Sequence, residues 1–190
     1  MYLFFDTETT GIPRNYRAPV EDLDNWPRLV QLAWMLADGQ GNEVSSAEHI
    51  VRPEGFVIPE DAARVHGIST ERALREGAAL AEVLAAVASG IGSATTLVAH
   101  NMPFDEMILG AEFLRAGFLN PLAGKERLCT MQAGTDVCRL PGPYGFKWPK
   151  LQELYRTLFG ESFSGEHQAL ADVRACARCF FELRQRGAIG

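Results

Sequence analysis

The chain opens on an apolar run, Tyr2-Leu3-Phe4-Phe5, that passes without a break into Asp6-Thr7-Glu8-Thr9-Thr10-Gly11. Such a run predicts a buried strand over residues 2–8. Successive strand residues point to opposite faces, so Asp6 and Glu8 share one. Two carboxylates side by side at the end of a buried strand repel each other and lose solvation. A divalent cation relieves both penalties, so the first ten residues already point to metal-assisted chemistry.

At 190 residues the chain is long enough for one sizeable core and short for two, and a single domain over 1–190 is expected. No low-complexity stretch, internal repeat or like-charge run breaks it. The apolar opening is too short for a signal-peptide core and lacks a basic flank, and no segment reaches the length of a membrane span. A soluble cytoplasmic protein with no membrane partner is expected. Formal charge is −6. Proteins that grip long nucleic acids usually present a basic surface, so any nucleic-acid reading implies a short grip on a chain end or a partner that delivers substrate. The four cysteines include C-A-R-C at Cys176 and Cys179, within a predicted helix and without a second ligand pair. They read as free thiols packed as small apolar groups.

Leu29–Ala37 and Val44–Val51 read as strands about the turn cluster Asp38–Asn42, an antiparallel hairpin continuing the first strand. In the first of these, Val30, Leu32, Trp34 and Leu36 alternate incompletely with the residues between them. Helices are expected over Pro59–Val65, Thr70–Arg75 behind an N-cap at Ser69, Ala79–Ser89, Phe104–Ala116 before Gly117, Met131–Cys138, Lys150–Phe159 with Pro149 in the first turn, and about Gln168 to Arg186. Thr95–Ala99 and Arg127–Cys129 read as strands. Leu140–Trp148 is expected to be a loop. Three early strands followed by alternating helices and strands imply an α/β fold, a mixed sheet with helices packed on it. Ile12–Arg28 is the long irregular stretch, either functional or a tolerated surface insertion.

Two further motifs carry acids. Val98-Ala99-His100-Asn101-Met102-Pro103-Phe104-Asp105 sits where a buried strand meets a helix start, a place where ligands collect. Taken alone, Asp105 also reads as a first-turn acid complementing the helix dipole. The third motif is His167-Gln168-Ala169-Leu170-Ala171-Asp172. Five positions of regular helix rotate by about 140°, so the two side chains would not share a face. His167 is therefore expected in the lead-in and Asp172 in the second turn. A histidine held off the helix near an acid titrates near neutral pH.

Together the motifs are far more specific than any one. The sequence resembles the DnaQ-like 3′→5′ exonucleases, the DEDDh branch of a superfamily with a ribonuclease-H-like fold, from about Tyr2 to Leu183. The sister branch has a tyrosine four residues before the last Asp; here that position is Gln168. His66-Gly67-Ile68 also matches a segment common in the family. The resemblance implies a ribonuclease-H-like sheet of three antiparallel and then parallel strands. It also implies two divalent cations, Mg²⁺ or Mn²⁺, about 3.5–4 Å apart. Their ligands would be Asp6 (bridging), Glu8 and Asp172 (nucleophile side) and Asp105 (the other side), with His167 as general base toward the attacking water. By the same resemblance, Ile12 is the apolar wedge against the terminal bases. Thr9 and Thr10 give backbone contacts, Phe104 and Asn101 line the terminal-nucleotide pocket, and His66 joins the substrate-binding set. Lys147, Trp148 and Lys150 form a small basic-aromatic cluster that could touch the strand upstream, with Trp148 reading rather as a packing residue.

The implied function is release of nucleoside 5′-monophosphates from a single-stranded or frayed 3′ end. DNA is favoured over RNA because the first motif differs from that of the short-RNA-specific relatives. No polymerase domain is present, so a proofreading role implies a DNA polymerase in trans. Two other classes stay open: an inactive exonuclease-fold binding module, and a hydrolase of small phosphoesters, which the acidic charge suits.

Overall fold

The structure is a computed structural model that describes residues 1–164 and 168–189. In chain order its elements are β1 (Tyr2–Thr9), β2 (Leu29–Ala37), β3 (Glu43–Ile50), α1 (Glu60–His66), α2 (Thr70–Glu76), α3 (Leu80–Ser93), β4 (Thr96–Ala99), α4 (Met102–Arg115), β5 (Glu126–Cys129), α5 (Thr130–Ala133), α6 (Thr135–Cys138), β6 (Pro141–Gly142), β7 (Gly145–Phe146), α7 (Leu151–Phe159) and α8 (Ala169–Gln185). The main sheet has the order β3-β2-β1-β4-β5. β1 pairs antiparallel with β2, and β2 with β3, while β1–β4 and β4–β5 are parallel. This is the expected mixed sheet of the ribonuclease-H-like kind, with helices on both faces.

The apolar opening explains the layering. Leu3 and Phe5 pack with α3 and α4 residues such as Leu84, Val87, Ile108 and Leu109 on one face. Phe4 packs on the other face with Leu154 and Tyr155 of α7 and Val173, Cys176 and Phe180 of α8. β2 is buried along its whole length. Leu32, Trp34 and Leu36 join the first cluster, Ala33, Met35 and Ala37 the second, and Val30 a third with Ile58, Ala62, Ile68 and Ala73. Burial on both faces is why its alternation is incomplete in the sequence. β3 is the exposed edge.

Several elements differ from expectation. α4 begins at Met102, two residues early, because Pro103 in its first turn needs no N–H partner there. The helix expected over Met131–Cys138 is two short pieces broken at Gly134, where the Thr135 hydroxyl bonds back to the Met131 carbonyl at 3.0 Å. The expected loop carries a small hairpin, β6–β7. Pro149 precedes the Lys150 N-cap of α7 rather than entering its first turn. Asp172 lies in the first turn of α8, not the second. Ser69 caps α2 as expected, accepting from the Arg72 N–H at 3.1 Å. All four cysteines are free, and Cys129, Cys176 and Cys179 are buried. Among the described residues no helix is long and apolar enough to cross a membrane.

The irregular stretch after Ile12 is pinned rather than loose. Trp26 Nε1 donates to the Pro19 carbonyl at 3.0 Å, and Arg115 of α4 donates to the Leu23 and Trp26 carbonyls at 2.5 and 2.6 Å. Beneath it Glu112, fully buried, accepts from Arg28 Nε and Arg115 Nη1 at 2.9 Å each and from the Leu29 N–H at 3.0 Å.

Candidate active site

The parallel pairing of β1 with β4 stops at Phe4–Val98. Beyond Ala99 the chain leaves the sheet through His100 and Asn101, the latter at φ 97°, into α4. β1 runs on along β2, with Asp6 opposite Ala33 and Glu8 opposite Gln31. Where two adjacent parallel strands part company, a crevice opens at their carboxyl ends. A cavity of about 630 Å³ lies there, lined by Asp6, Glu8, Asp105 and Asp172, with His100, Asn101, Phe104, Trp148, Pro149 and Lys150 among its other walls.

The sheet's alternation sorts the acids. Asp6 and Glu8 follow Phe4 on the face covered by α8, whose first turn brings Asp172. Thr7 points the other way, toward α4. There its backbone N–H and hydroxyl both donate to Asp105 Oδ1, at 3.0 and 2.7 Å. Asp105 is 3 % exposed, so these two bonds fix its position at the cavity floor.

The electrostatics are those of crowded acids. Burial, then the charges of Asp105, Glu8 and Asp172, push the Asp6 carboxyl well above its usual range. Burial, followed by Asp172 and Asp105, raises Glu8 to about 7. Burial raises Asp105 to about 7 against the lowering effect of the Thr7 bonds. Among the described residues no Lys or Arg forms an ion pair with Asp6, Glu8 or Asp105. This oxygen-only, anionic set is the donor chemistry of a hard divalent cation. As the side chains stand, no three His, Cys, Asp or Glu groups among the described residues form a ligating set for one ion. The acids converge on a cavity rather than on a point, and one Asp105 oxygen is committed to Thr7.

Of the residues expected to bind substrate, Asn101 and Phe104 line this cavity. Thr9, Thr10 and Ile12 lie outside its lining, at the end of β1. The Thr9 hydroxyl donates to the Gly11 carbonyl at 2.6 Å, Thr10 Oγ1 accepts from the Arg28 N–H at 2.9 Å, and the Ile12 side chain is exposed. His66 is buried in the wall of a smaller cavity with Gln31, Glu48 and Arg72, its Nδ1 accepting from the Ile68 N–H at 3.2 Å. His167 lies outside the described residues.

Two contributors, Thr7 and His100, lie outside the expected set, and Trp148 departs from its expected packing role. Thr7 lies between two acids, and strand alternation aims it at the helix that carries Asp105. His100 holds the far wall: its Nε2 donates to the Pro149 carbonyl at 3.0 Å and its Nδ1 meets the Thr130 hydroxyl at 2.9 Å. Burial lowers its pKa to about 4, so the ring is neutral, and the carbonyl partner fixes the proton on Nε2. Trp148, read as a packing residue, is 61 % exposed at the cavity lip because its buried neighbour Pro149 is the residue that packs.

No curated protein matches the chain. The fold is similar to the zinc-ion-bound form of the E. coli exonuclease I–ssDNA complex, with TM-score 0.74 and 22 % identity over 97 % of this chain and 40 % of that one. It is similar also to E. coli exonuclease I with a dT13 oligonucleotide, with TM-score 0.75 and 20 % identity over 97 % and 40 %. For a product-bound exonuclease I the TM-score is 0.76 at 20 % identity over 98 % and 44 %. The chain thus spans about two fifths of the length of these proteins. The RNase_T exonuclease model matches residues 3–180, nearly the whole chain, and with that match the chain belongs to the RNase_T exonuclease family.

Proposed function

We propose that this chain, as one domain over residues 1–190, hydrolyses the terminal phosphodiester bond at the 3′ end of a nucleic acid, releasing nucleoside 5′-monophosphates. The observation that carries the reading is the gathering of Asp6, Glu8, Asp105 and Asp172, from three segments far apart in sequence, around one cavity of an exonuclease-family fold. These four carboxylates would hold two divalent cations, Mg²⁺ or Mn²⁺. When bound, such a pair activates a water and neutralises charge on the scissile phosphate.

The chain's own groups divide the remaining work. Thr7 keeps Asp105 oriented. Asn101 and Phe104, on the wall next to Asp105, face the terminal nucleotide, and Thr9, Thr10, Ile12 and His66 extend the grip beyond the cavity. His167 takes the proton of the attacking water, its ordinary pKa near 6.5 suiting that task. The exonuclease I structures that share the fold hold single-stranded DNA or dT13, which supports a single-stranded or frayed DNA end as substrate. A formal charge of −6 fits a grip confined to the chain end, with a polymerase in trans as one means of delivery.

Side-by-side digestion of 3′- and 5′-labelled single-stranded DNA, duplex DNA and short RNA tests the reading. The 3′ label is expected to leave first as a mononucleotide, in Mg²⁺ or Mn²⁺ and not in EDTA, and fastest from single-stranded DNA. Release of the 5′ label first, internal cutting, or turnover in EDTA would overturn it.

A further inference from the structure

The segment that forms the cavity lip carries three large exposed aromatic side chains: Tyr144 at 102 %, Phe146 at 51 % and Trp148 at 61 %. Three such rings within five residues, beside a polar cavity, are the kind of exposed apolar surface that marks an interaction site. The segment is framed by hydrogen bonds. β6 and β7 pair through Pro141–Phe146 and Gly142–Gly145, and the Lys147 N–H donates to the Leu140 carbonyl at 2.9 Å. Gly145, at φ 123°, closes the two-residue turn that carries Tyr144 at its tip. Glu153 of α7 clamps the base twice, taking Lys147 Nζ at 2.6 Å and the Lys150 N–H at 2.8 Å. Pro149 is anchored from the opposite side by His100. Lys147 is drawn toward α7, while Trp148 and Lys150 line the acidic cavity itself.

We infer that this aromatic hairpin is a stacking platform for the bases just upstream of the terminal nucleotide, so that the occupant of the lip is a single nucleic-acid strand. The inference rests on the exonuclease reading and extends it from the reacting end to the strand behind. Two observations favour a strand over other occupants. Trp148 belongs to the cavity wall, and Phe146 and Tyr144 lie two and four residues before it on the same segment, so the hairpin stands beside a chain end seated among the acids. Lys147 is paired with Glu153 and the formal charge is −6, so beside Lys150 the lip offers few cations to phosphates, and the base faces are the larger source of affinity. Stacking accepts every base, so the platform selects single-stranded over duplex substrate without reading sequence. Pre-ordering of the hairpin means that little ordering cost is left for the moment of binding.

The test compares two strands of about 12 nucleotides, a single-stranded oligothymidylate and the same strand with abasic sites upstream of the 3′ nucleotide, by fluorescence anisotropy with the full chain. The intact strand is expected to bind about tenfold more tightly. A Tyr144→Ala/Phe146→Ala variant should lose that preference, and a Tyr144→Phe/Phe146→Tyr variant should keep it. Salt should change the ratio little, because it reports stacking rather than counterion release. A wild-type protein indifferent to upstream bases, or an alanine variant with the preference intact, would overturn the inference. Cleavage of labelled strands in Mg²⁺ is scored separately. Cleavage without aromatic dependence sinks the platform alone, whereas aromatic-dependent binding without cleavage sinks the nuclease reading alone.

Discussion

Two buried carboxylate sites in this molecule solve the same electrostatic problem in opposite ways. Glu112, on the inner face of α4, is fully buried, yet two guanidinium groups and a backbone N–H reach its oxygens. Two turns earlier on the same helix, Asp105 is also buried, and its neighbours are three more acids. The first site is complete within the chain and does structural work, tying α4 to the start of β2 and to the irregular stretch before it. The second gathers acids whose pKa values burial and mutual repulsion push up, and we propose that a cation from outside the chain completes its charge balance.

Breaking each site should therefore give opposite results. The largest effect is expected on activity at the second: Asp6→Asn or Asp172→Asn should lower strand hydrolysis by at least about 10²–10³-fold, measured as mononucleotide release in Mg²⁺. In the metal-free protein Asp6→Asn should at the same time raise stability, because one repelling charge is gone. Next comes Glu112→Ala, expected to cost about 3–5 kcal/mol in denaturant unfolding, since it removes the carboxylate that balances Arg115 and Arg28 and leaves the Leu29 N–H without its acceptor. Equal loss of stability from the two substitutions would erase the contrast.

pH sharpens it further. Glu8 and Asp105 are raised to about 7 in the folded chain and would titrate near 4 when unfolded. The folded state then holds more protons than the unfolded state between those values. Their contribution to metal-free stability is fully present below about pH 4 and is lost as pH rises through about 7. His100, lowered to about 4 from an ordinary value near 6.5, acts in the other sense: its contribution is present above about 6.5 and is lost as pH falls toward 4. Unfolding of Glu8→Gln and His100→Asn proteins across pH 4–8 should separate the two slopes. The smallest effect belongs to Thr7→Val, about 1 kcal/mol of stability, with a 10–100-fold loss in cation affinity by calorimetry as Asp105 loses its hydroxyl donor.

The acidic site was legible in the sequence because three motifs together resemble one family. Alternation along a strand puts Asp6 and Glu8 on one face, whereas Asp105 alone also reads as a first-turn acid and Asp172 lies a turn earlier in its helix than its spacing from His167 suggests. Glu112 was not legible. Within its helix it reads as one more surface acid, and its partner Arg28 lies 84 positions away in a stretch without periodicity. The hairpin of Pro141–Phe146 was hidden for a similar reason: strands of two residues carry no pattern. Trp148 was misjudged because aromatic residues usually pack, and only the burial of Pro149 beside it shows which neighbour took that role.

The most direct test of the acidic cavity as a cation site needs no substrate. Thermal unfolding at about pH 8, where the carboxylates are ionised, is followed with and without Mg²⁺ or Mn²⁺ for the wild-type chain and for Asp6→Asn. At about a hundredfold excess over Kd the cation should raise the wild-type Tm by roughly 5–10 °C and leave the variant almost unmoved. An equal rise in both proteins, or none in either, would contradict the claim that these four acids are held apart for a metal.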